Sequence, residues 1–279
     1  MKKFLFIGGD KRQQYAAQYL MRQGCSVTTA EDCPEFERMV EAADYIVLPL
    51  PVSRDGIRIN SPMSIAPLTL KKVIRALDKS KTVFAGMPSK DLEVELSCKD
   101  IKLYDYYKNE ALAILNSIST AEGVIHEAIG SMSIDLHGSK VAVFGYGKAS
   151  SALARRLVAL GAQVWAFARS ERDRAAAEAD NCKAIPLDRV SSQNIAFDLV
   201  VNTVPAPVVT EKFIKSLPKS CLIIEIASAP FGVDFTAAEA EGIRVIRCPS
   251  LPGMYSPKSA GEAIARTILN IINPGGELK

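Results

Sequence analysis

The sequence predicts an α/β fold with two doubly wound parallel sheets, and three observations carry that expectation. Short apolar runs alternate with helical segments along the chain, the signature of repeated strand–helix–strand units. The alternation restarts once, near residue 140, with a new strand that runs into a glycine turn. Finally, 279 residues of which 48% are apolar suffice for two cores of ordinary size.

In the first half, FLFIGG (4–9) is an apolar strand ending in Gly-Gly. The segment after it places Tyr15, Ala16, Tyr19 and Leu20 on one helical face, and Gly24 closes that helix. SVTTA follows as a strand, PEFERMVEAA as a helix, and DYIVLPLP as a strand interrupted by its prolines. PLTLKKVIRAL (67–77) reads as a helix, TVFAG (82–86) as a strand and KLYDYY (102–107) as a last short strand.

EALAILNSISTAEGVIHEAIGSM (110–132), a turn and a long helix free of proline, leads into the second half. There KVAVFGYG (140–147), QVWAFARS (163–170), FDLVVNTVP (197–205), SCLIIEIAS (220–228) and IRVIRCPS (243–250) are strands, with SALARRLVALG (151–161) the first intervening helix. SPKSAGEAIARTILNIIN (256–273) is a closing amphipathic helix. The economical organisation is a first domain at 1–115 completed by the C-terminal segment 256–279, a connecting helix at 116–136, and a second domain at 137–250. The two domains are expected to be joined by two helices, with a cleft between them.

Bulk properties exclude several classes. The net charge of +3 is spread along the chain with no long Lys/Arg run, which argues against nucleic acid. The start, MKKFLFIGGD, is too short for a signal-peptide core, and no apolar stretch approaches the ~20 residues of a membrane span. Six cysteines without C-x-x-C spacing read as reduced thiols. With two histidines, no metal site is expected, and the expected location is the cytoplasm.

The second half carries the chemistry. After the strand at 140–144, Gly145 permits a tight turn and Gly147 lets backbone approach a pyrophosphate at the N-terminus of the next helix. Tyr146, Lys148 and Ala149 fill the loop, and Ser150 stands where a third glycine usually allows close helix packing. This makes 137–250 a Rossmann-like dinucleotide-binding domain. The next strand ends in Ala168-Arg169-Ser170 instead of the acid that receives an NAD ribose. Arg169 is placed to stack on adenine or pair with a 2′-phosphate, and Ser170 to donate to it; Arg172 and Arg174 add charge, with Glu171 dissenting. NADP is therefore the expected cofactor, with NAD the alternative. Asn202, Thr203, Val204 and Pro205, together with Ala227 and Ser228, follow strands and flank the cofactor.

His126 and His137 sit in no recognisable catalytic context, and the chain has no Ser-His-Asp order, G-x-S-x-G or H-E-x-x-H. No catalytic residue is assigned. Loops at the carboxyl ends of the strands are expected to face the cleft, where Arg54 and Lys258 are suited to neutralising carboxylates.

Together, GGDKR, LNSISTAEGVI, GYGKASSALARRLVALGAQVWAFARS, NTVPAP, EIASAPFGVDF and LPGMYSPKSAGEAIA resemble, in order and over nearly the whole chain, the family of dipicolinate synthase A subunits. That resemblance implies an NAD(P)-dependent dehydrogenase oxidising a dihydrodipicolinate-type ring from the lysine pathway to dipicolinate during sporulation. It implies a flavoprotein-like B subunit as partner, and a homo-oligomer is expected. A small dicarboxylate substrate makes Arg12, Arg54 and Lys258 the candidates for carboxylate recognition, with Asn116, Ser117 and Thr120 lining the cleft. The chain departs from the family pattern at Ser119, where members commonly carry Pro, and at Glu225, where Asp is more usual. It also reads Ser228-Ala229-Pro230-Phe231-Gly232 where Arg-Pro-Gly-Gly often stands. Two other readings share the two-domain plan: a D-2-hydroxyacid or alanine-dehydrogenase-like oxidoreductase, and an NADP-binding partner subunit without catalysis of its own.

Overall fold

The computed structural model describes residues 1–274, so the end of the 256–279 segment lies outside the described residues. The chain divides into one unit of residues 1–115 with 256–279 and a second of residues 116–255.

The first unit contains β1 (Lys3–Ile7), α1 (Lys11–Arg22), β2 (Ser26–Ala30), α2 (Phe36–Ala42), β3 (Tyr45–Val47), α3 (Leu70–Ala76), β4 (Thr82–Ala85), α4 (Lys90–Cys98) and β5 (Lys102–Asp105). The strands form one parallel sheet in the order β2-β1-β3-β4-β5. Helix α5 (Glu110–Ser131) then enters the second unit, which contains β6 (Lys140–Phe144), α6 (Lys148–Ala159), β7 (Gln163–Ala168), α7 (Glu171–Ala179), β8 (Lys183–Pro186), β9 (Leu199–Asn202), α8 (Glu211–Ile214), β10 (Leu222–Glu225), α9 (Phe235–Ala240), β11 (Arg244–Arg247) and α10 (Leu251–Tyr255). Its six strands are parallel in the order β11-β10-β9-β6-β7-β8. Helix α11 (Pro257–Ile272) returns to the first unit.

Both sheets are doubly wound, and their central strands show why. Alternate side chains of β1 enter different cores: Phe4 and Phe6 pack with Ala16 and Leu20 of α1 and Ile264 and Ile268 of α11, while Leu5 and Ile7 pack with Phe36 and Val40 of α2. In β6, Val141 and Val143 join one core and Ala142 and Phe144 the other. A strand covered on both faces must be apolar throughout, which is how both runs read. Gly261 lets α11 lie close against α1, because a β-carbon there would overlap the Arg12 carbonyl and lie 2.9 Å from Tyr15 Cβ.

The structure departs from the sequence expectation in several elements, the short helix α10 among them. Helix α5 spans Glu110–Ser131 instead of 116–136. Its N-terminus is set by Asn109, whose side chain accepts from Leu112 N at 3.2 Å. Strand β8 and helix α4 were not anticipated. The first is a four-residue edge strand flanked by charge, and the second exposes most of a charged surface.

Candidate dinucleotide-binding site

The order of the second sheet places a topological switch point between β6 and β9, the position where open α/β sheets receive ligands. The loop from β6 to α6 lies there. Gly145 adopts φ +89°, and its N–H donates to the Phe167 carbonyl at 2.9 Å. Gly147 is the N-cap of α6 and supplies no side-chain cap, and a β-carbon on it would meet nothing within 4 Å. The first turn of α6 therefore presents backbone N–H groups beside open space, which is the donor arrangement a pyrophosphate needs. Ser150, 1% exposed, turns its hydroxyl back to donate to the Gly147 carbonyl at 3.2 Å and fits the third position without displacing the helix.

Tyr146 contributes backbone alone. Its side chain leaves the loop and donates to Asp180 Oδ2 at 2.8 Å, 3.9 Å from Cys182 Sγ. Burial, with the Asp180 carboxylate, raises its phenol far above the usual range. Lys148 is exposed and Ala149 half-buried on the first turn of α6.

The first unit begins with a similar strand, glycine turn and helix, yet its helix start is capped by side chains. Asp10 caps α1, accepting from Arg12 N at 2.8 Å, and Gln13 completes a capping box by reaching back to the Asp10 N–H at 3.3 Å. A β-carbon on Gly9 would lie 2.5 Å from Gln13 Cγ. The first backbone donors of α1 are thus met by the Asp10 side chain, which Arg12 in turn neutralises.

At the end of β7, Arg169 is exposed and its guanidinium forms no hydrogen bond or ion pair among the described residues, and Arg172 is also exposed. Ser170 caps α7, its Oγ accepting from Asp173 N at 3.0 Å, which leaves the hydroxyl proton available to a ligand. Arg174 is tied back to the carbonyls of Ala168 (3.2 Å) and Arg169 (2.6 Å) and stiffens the strand end. Glu171 lies in the first turn of α7, where the helix dipole stabilises an acid.

Two loops flank this arrangement. Thr203 Oγ1 donates to the Phe144 carbonyl at 2.7 Å, which ties the β9 loop to the glycine turn. Val204 is half-buried, and Pro205 and Ser228 are exposed, with Ala227 half-buried between strand and loop. Asn202, expected beside the cofactor, is fully buried. Its amide is spent on Glu225 (2.9 Å to each oxygen) and on the Val204 carbonyl at 3.0 Å, so it shapes the loop and does not line it.

The substrate candidates fare unequally. Arg12, expected to recognise a carboxylate, is 6% exposed, pairs with Asp10 at 2.8 Å and donates to the Leu50 carbonyl at 2.5 Å. It is a structural cation, because its charge and most of its donors are already met. Arg54 is exposed and, among the described residues, unpaired. Its loop is kept rigid by Asp55, whose carboxyl the N–H groups of Arg58 and Ile57 hold below its usual range. Lys258 is likewise exposed and unpaired among the described residues, in the first turn of α11, where the helix dipole disfavours a cation. On α5, Ser117 is buried, and Thr120 donates its hydroxyl to the Asn116 carbonyl at 2.8 Å. The His126 and Tyr255 rings lie 4.5 Å apart, tilted by 44°, and the Tyr255 hydroxyl donates to Glu127. A β-carbon on Gly161 would overlap the His137 ring, and both histidines are exposed. The residue that sequence reasoning undervalued is Glu225. Its signal was an acid closing an otherwise wholly apolar strand.

Residues 3–107 match the family described as the N-terminal domain of the dipicolinate synthase A subunit, and residues 113–231 match the D-isomer specific 2-hydroxyacid dehydrogenase, NAD binding domain. Over 97% of its length the chain is 30% identical to the dipicolinate synthase A subunit of Bacillus subtilis (strain 168), covering 95% of that protein. The chain belongs to the family of dipicolinate synthase A subunits. Crystal structures of the dipicolinate synthase A subunits from Bacillus halodurans (27% identity, TM-score 0.87, 98% of each chain) and from Bacillus subtilis (27%, TM-score 0.85, 98% and 96%) share its fold. As a member of that family with an NAD-binding dehydrogenase domain, the chain is an oxidoreductase that uses a nicotinamide cofactor. Among the described residues, no helix is long and apolar enough to cross a membrane.

Proposed function

We propose that this chain is the dehydrogenase subunit of a dipicolinate synthase, oxidising a dihydrodipicolinate-type ring from the lysine pathway to pyridine-2,6-dicarboxylate in the cytoplasm of a sporulating cell. The observation that carries this reading is the uncapped, open N-terminus of α6 behind Gly145 and Gly147, in a chain related to dipicolinate synthase A subunits along almost its whole length. A bound nicotinamide dinucleotide supplies the hydride acceptor. The chain's own residues bind and orient: backbone of 145–150 holds the pyrophosphate, while Thr203, Val204, Pro205, Ala227 and Ser228 border the rest of the cofactor.

Arg169 and Ser170 favour NADP, since an unpaired guanidinium and a hydroxyl donor stand where NAD enzymes place an acid. Arg54 and Lys258 neutralise the substrate carboxylates, and Asn116 and Thr120 contribute polar contacts. Forming an aromatic ring supplies most of the driving force, so positioning outweighs a strong acid–base pair. Residues 137–250 are the cofactor domain, and residues 1–115 with the C-terminal helix serve the substrate. A flavoprotein-like B subunit is the partner, and the chain works as a homo-oligomer.

The test is to supply the condensation product of pyruvate and aspartate semialdehyde with NADP, with and without a B subunit. Pyridine-2,6-dicarboxylate must accumulate as NADPH forms. Turnover of simple 2-keto acids with NADH and none of the ring substrate would overturn the assignment.

A further inference from the structure

We propose that Glu225 is a positioning residue of the cofactor site, its buried carboxylate fixing the two loops that follow β9 and β10. The inference rests on the reading of the second unit as the cofactor domain. Glu225 and Asn202 end adjacent parallel strands and are register partners, so their side chains emerge on one face of the sheet. Glu225 is 2% exposed and every partner it has is a donor. Oε1 accepts from Ala227 N at 2.8 Å, and Oε2 from Gly232 N at 2.9 Å and Val233 N at 3.0 Å. Asn202 Nδ2 lies 2.9 Å from both oxygens. One carboxylate therefore gathers the beginning and the end of the 226–233 loop.

Through Asn202 it also reaches the other loop. Asn202 Oδ1 accepts from Val204 N at 3.1 Å while Nδ2 donates to the Val204 carbonyl, closing the turn that carries Thr203. The loops touch at Gly232, where a β-carbon would overlap Asn202 Nδ2 and sit 2.5 Å from the Val204 carbonyl. On the outer side Arg247, the register partner of Glu225 on β11, stacks its guanidinium on Phe235 at 3.7 Å and on Phe231 at 5.1 Å. Phe231 itself adopts a left-handed conformation, φ +67°.

No cation pairs with Glu225 among the described residues, so the backbone donors and Asn202 must offset its desolvation. Only a side chain with two acceptor oxygens and no donor satisfies them all. Moving either loop would displace Thr203 and Ala227, the groups proposed to border the cofactor, and small displacements at a binding site are costly.

The experiment titrates NADPH and NADH against full-length wild type, Glu225→Gln, Glu225→Asp and Asn202→Ala, each at a temperature where circular dichroism is native. Amide exchange of Ala227, Gly232 and Val233 is followed in parallel. Glu225→Gln should weaken cofactor binding about tenfold or more, Glu225→Asp should weaken it less, and the three amides should exchange faster while Val143 of β6 does not. Should Glu225→Gln fail to fold, Asn202→Ala, which keeps the three backbone donors, decides by a roughly threefold or greater loss. Binding within about twofold of wild type overturns the proposal, even where melting temperature falls, since that pattern marks a purely structural role. A wild type that binds neither dinucleotide overturns the cofactor reading itself, whatever the variants do.

Discussion

Thr203 Oγ1 occupies the space next to Gly145: it lies 2.6 Å from where a β-carbon on residue 145 would be, and it donates to the Phe144 carbonyl. The glycine is required twice over, by this contact and by its φ of +89°. Gly145→Ala should therefore destabilise the protein by about 2 kcal/mol or more, combining left-handed strain with the clash. Adding Thr203→Ala should recover only the steric share. Urea midpoints of the two variants measure this, and an additive pair would refute the contact.

Gly147 makes the opposite prediction from the same substitution. A β-carbon there meets nothing within 4 Å, and the residue's φ of −83° suits alanine. Gly147→Ala should lower stability by no more than about 1 kcal/mol, the loss of a tolerable N-cap. Cofactor affinity should nonetheless fall, because the methyl group enters the space assigned to the pyrophosphate. Unchanged dinucleotide binding would show that the phosphates lie elsewhere.

Alkaline stability follows from the buried thiols. Burial pushes Cys221 up to about 12 and Cys248 up to about 11 from an ordinary value near 9.0, and raises Cys182 as well. Between these limits the unfolded chain loses protons that the folded chain keeps, so the unfolded state binds fewer and stability falls as pH rises. The raised phenols of Tyr106 and Tyr146 act in the same direction above about pH 10. Urea midpoints should be flat from about pH 6 to 8 and decline from about 9 to 12. Cys221→Ala should remove part of that slope while costing about 1 kcal/mol at neutral pH.

Much of the fold and the core of the candidate site were legible because steric rules wrote them locally. A strand buried on both faces must be apolar, so β1 and β6 stood out, and a tight turn with φ above zero demands Gly145. Roles that depend on partners distant in sequence, or on competition for a charge, were not legible. Arg12 looked available for a substrate until Asp10, two residues away, proved to hold it. The spacing Asp10-x-x-Gln13 is a capping-box signature and was the signal for that. Asn202 looked like a ligand contact because it follows a strand, whereas its partner, Glu225, lies 23 residues on. Strand β8 escaped notice because Lys-Ala-Ile-Pro is short and ends in a proline that only an edge tolerates.

Everything proposed for the second unit depends on a dinucleotide binding at Gly145–Ser150 and on Arg169 and Ser170 selecting NADP. Fluorescence titration of NADPH and NADH against wild type and Arg169→Ala is the decisive measurement. Arg169 is exposed and, among the described residues, unpaired, so its removal should leave melting unchanged. Wild type should bind NADPH more tightly than NADH, by about tenfold for one charge-assisted contact, and the variant should bind the two with near-equal affinity. Equal or reversed affinities in wild type would refute NADP selection by this strand end.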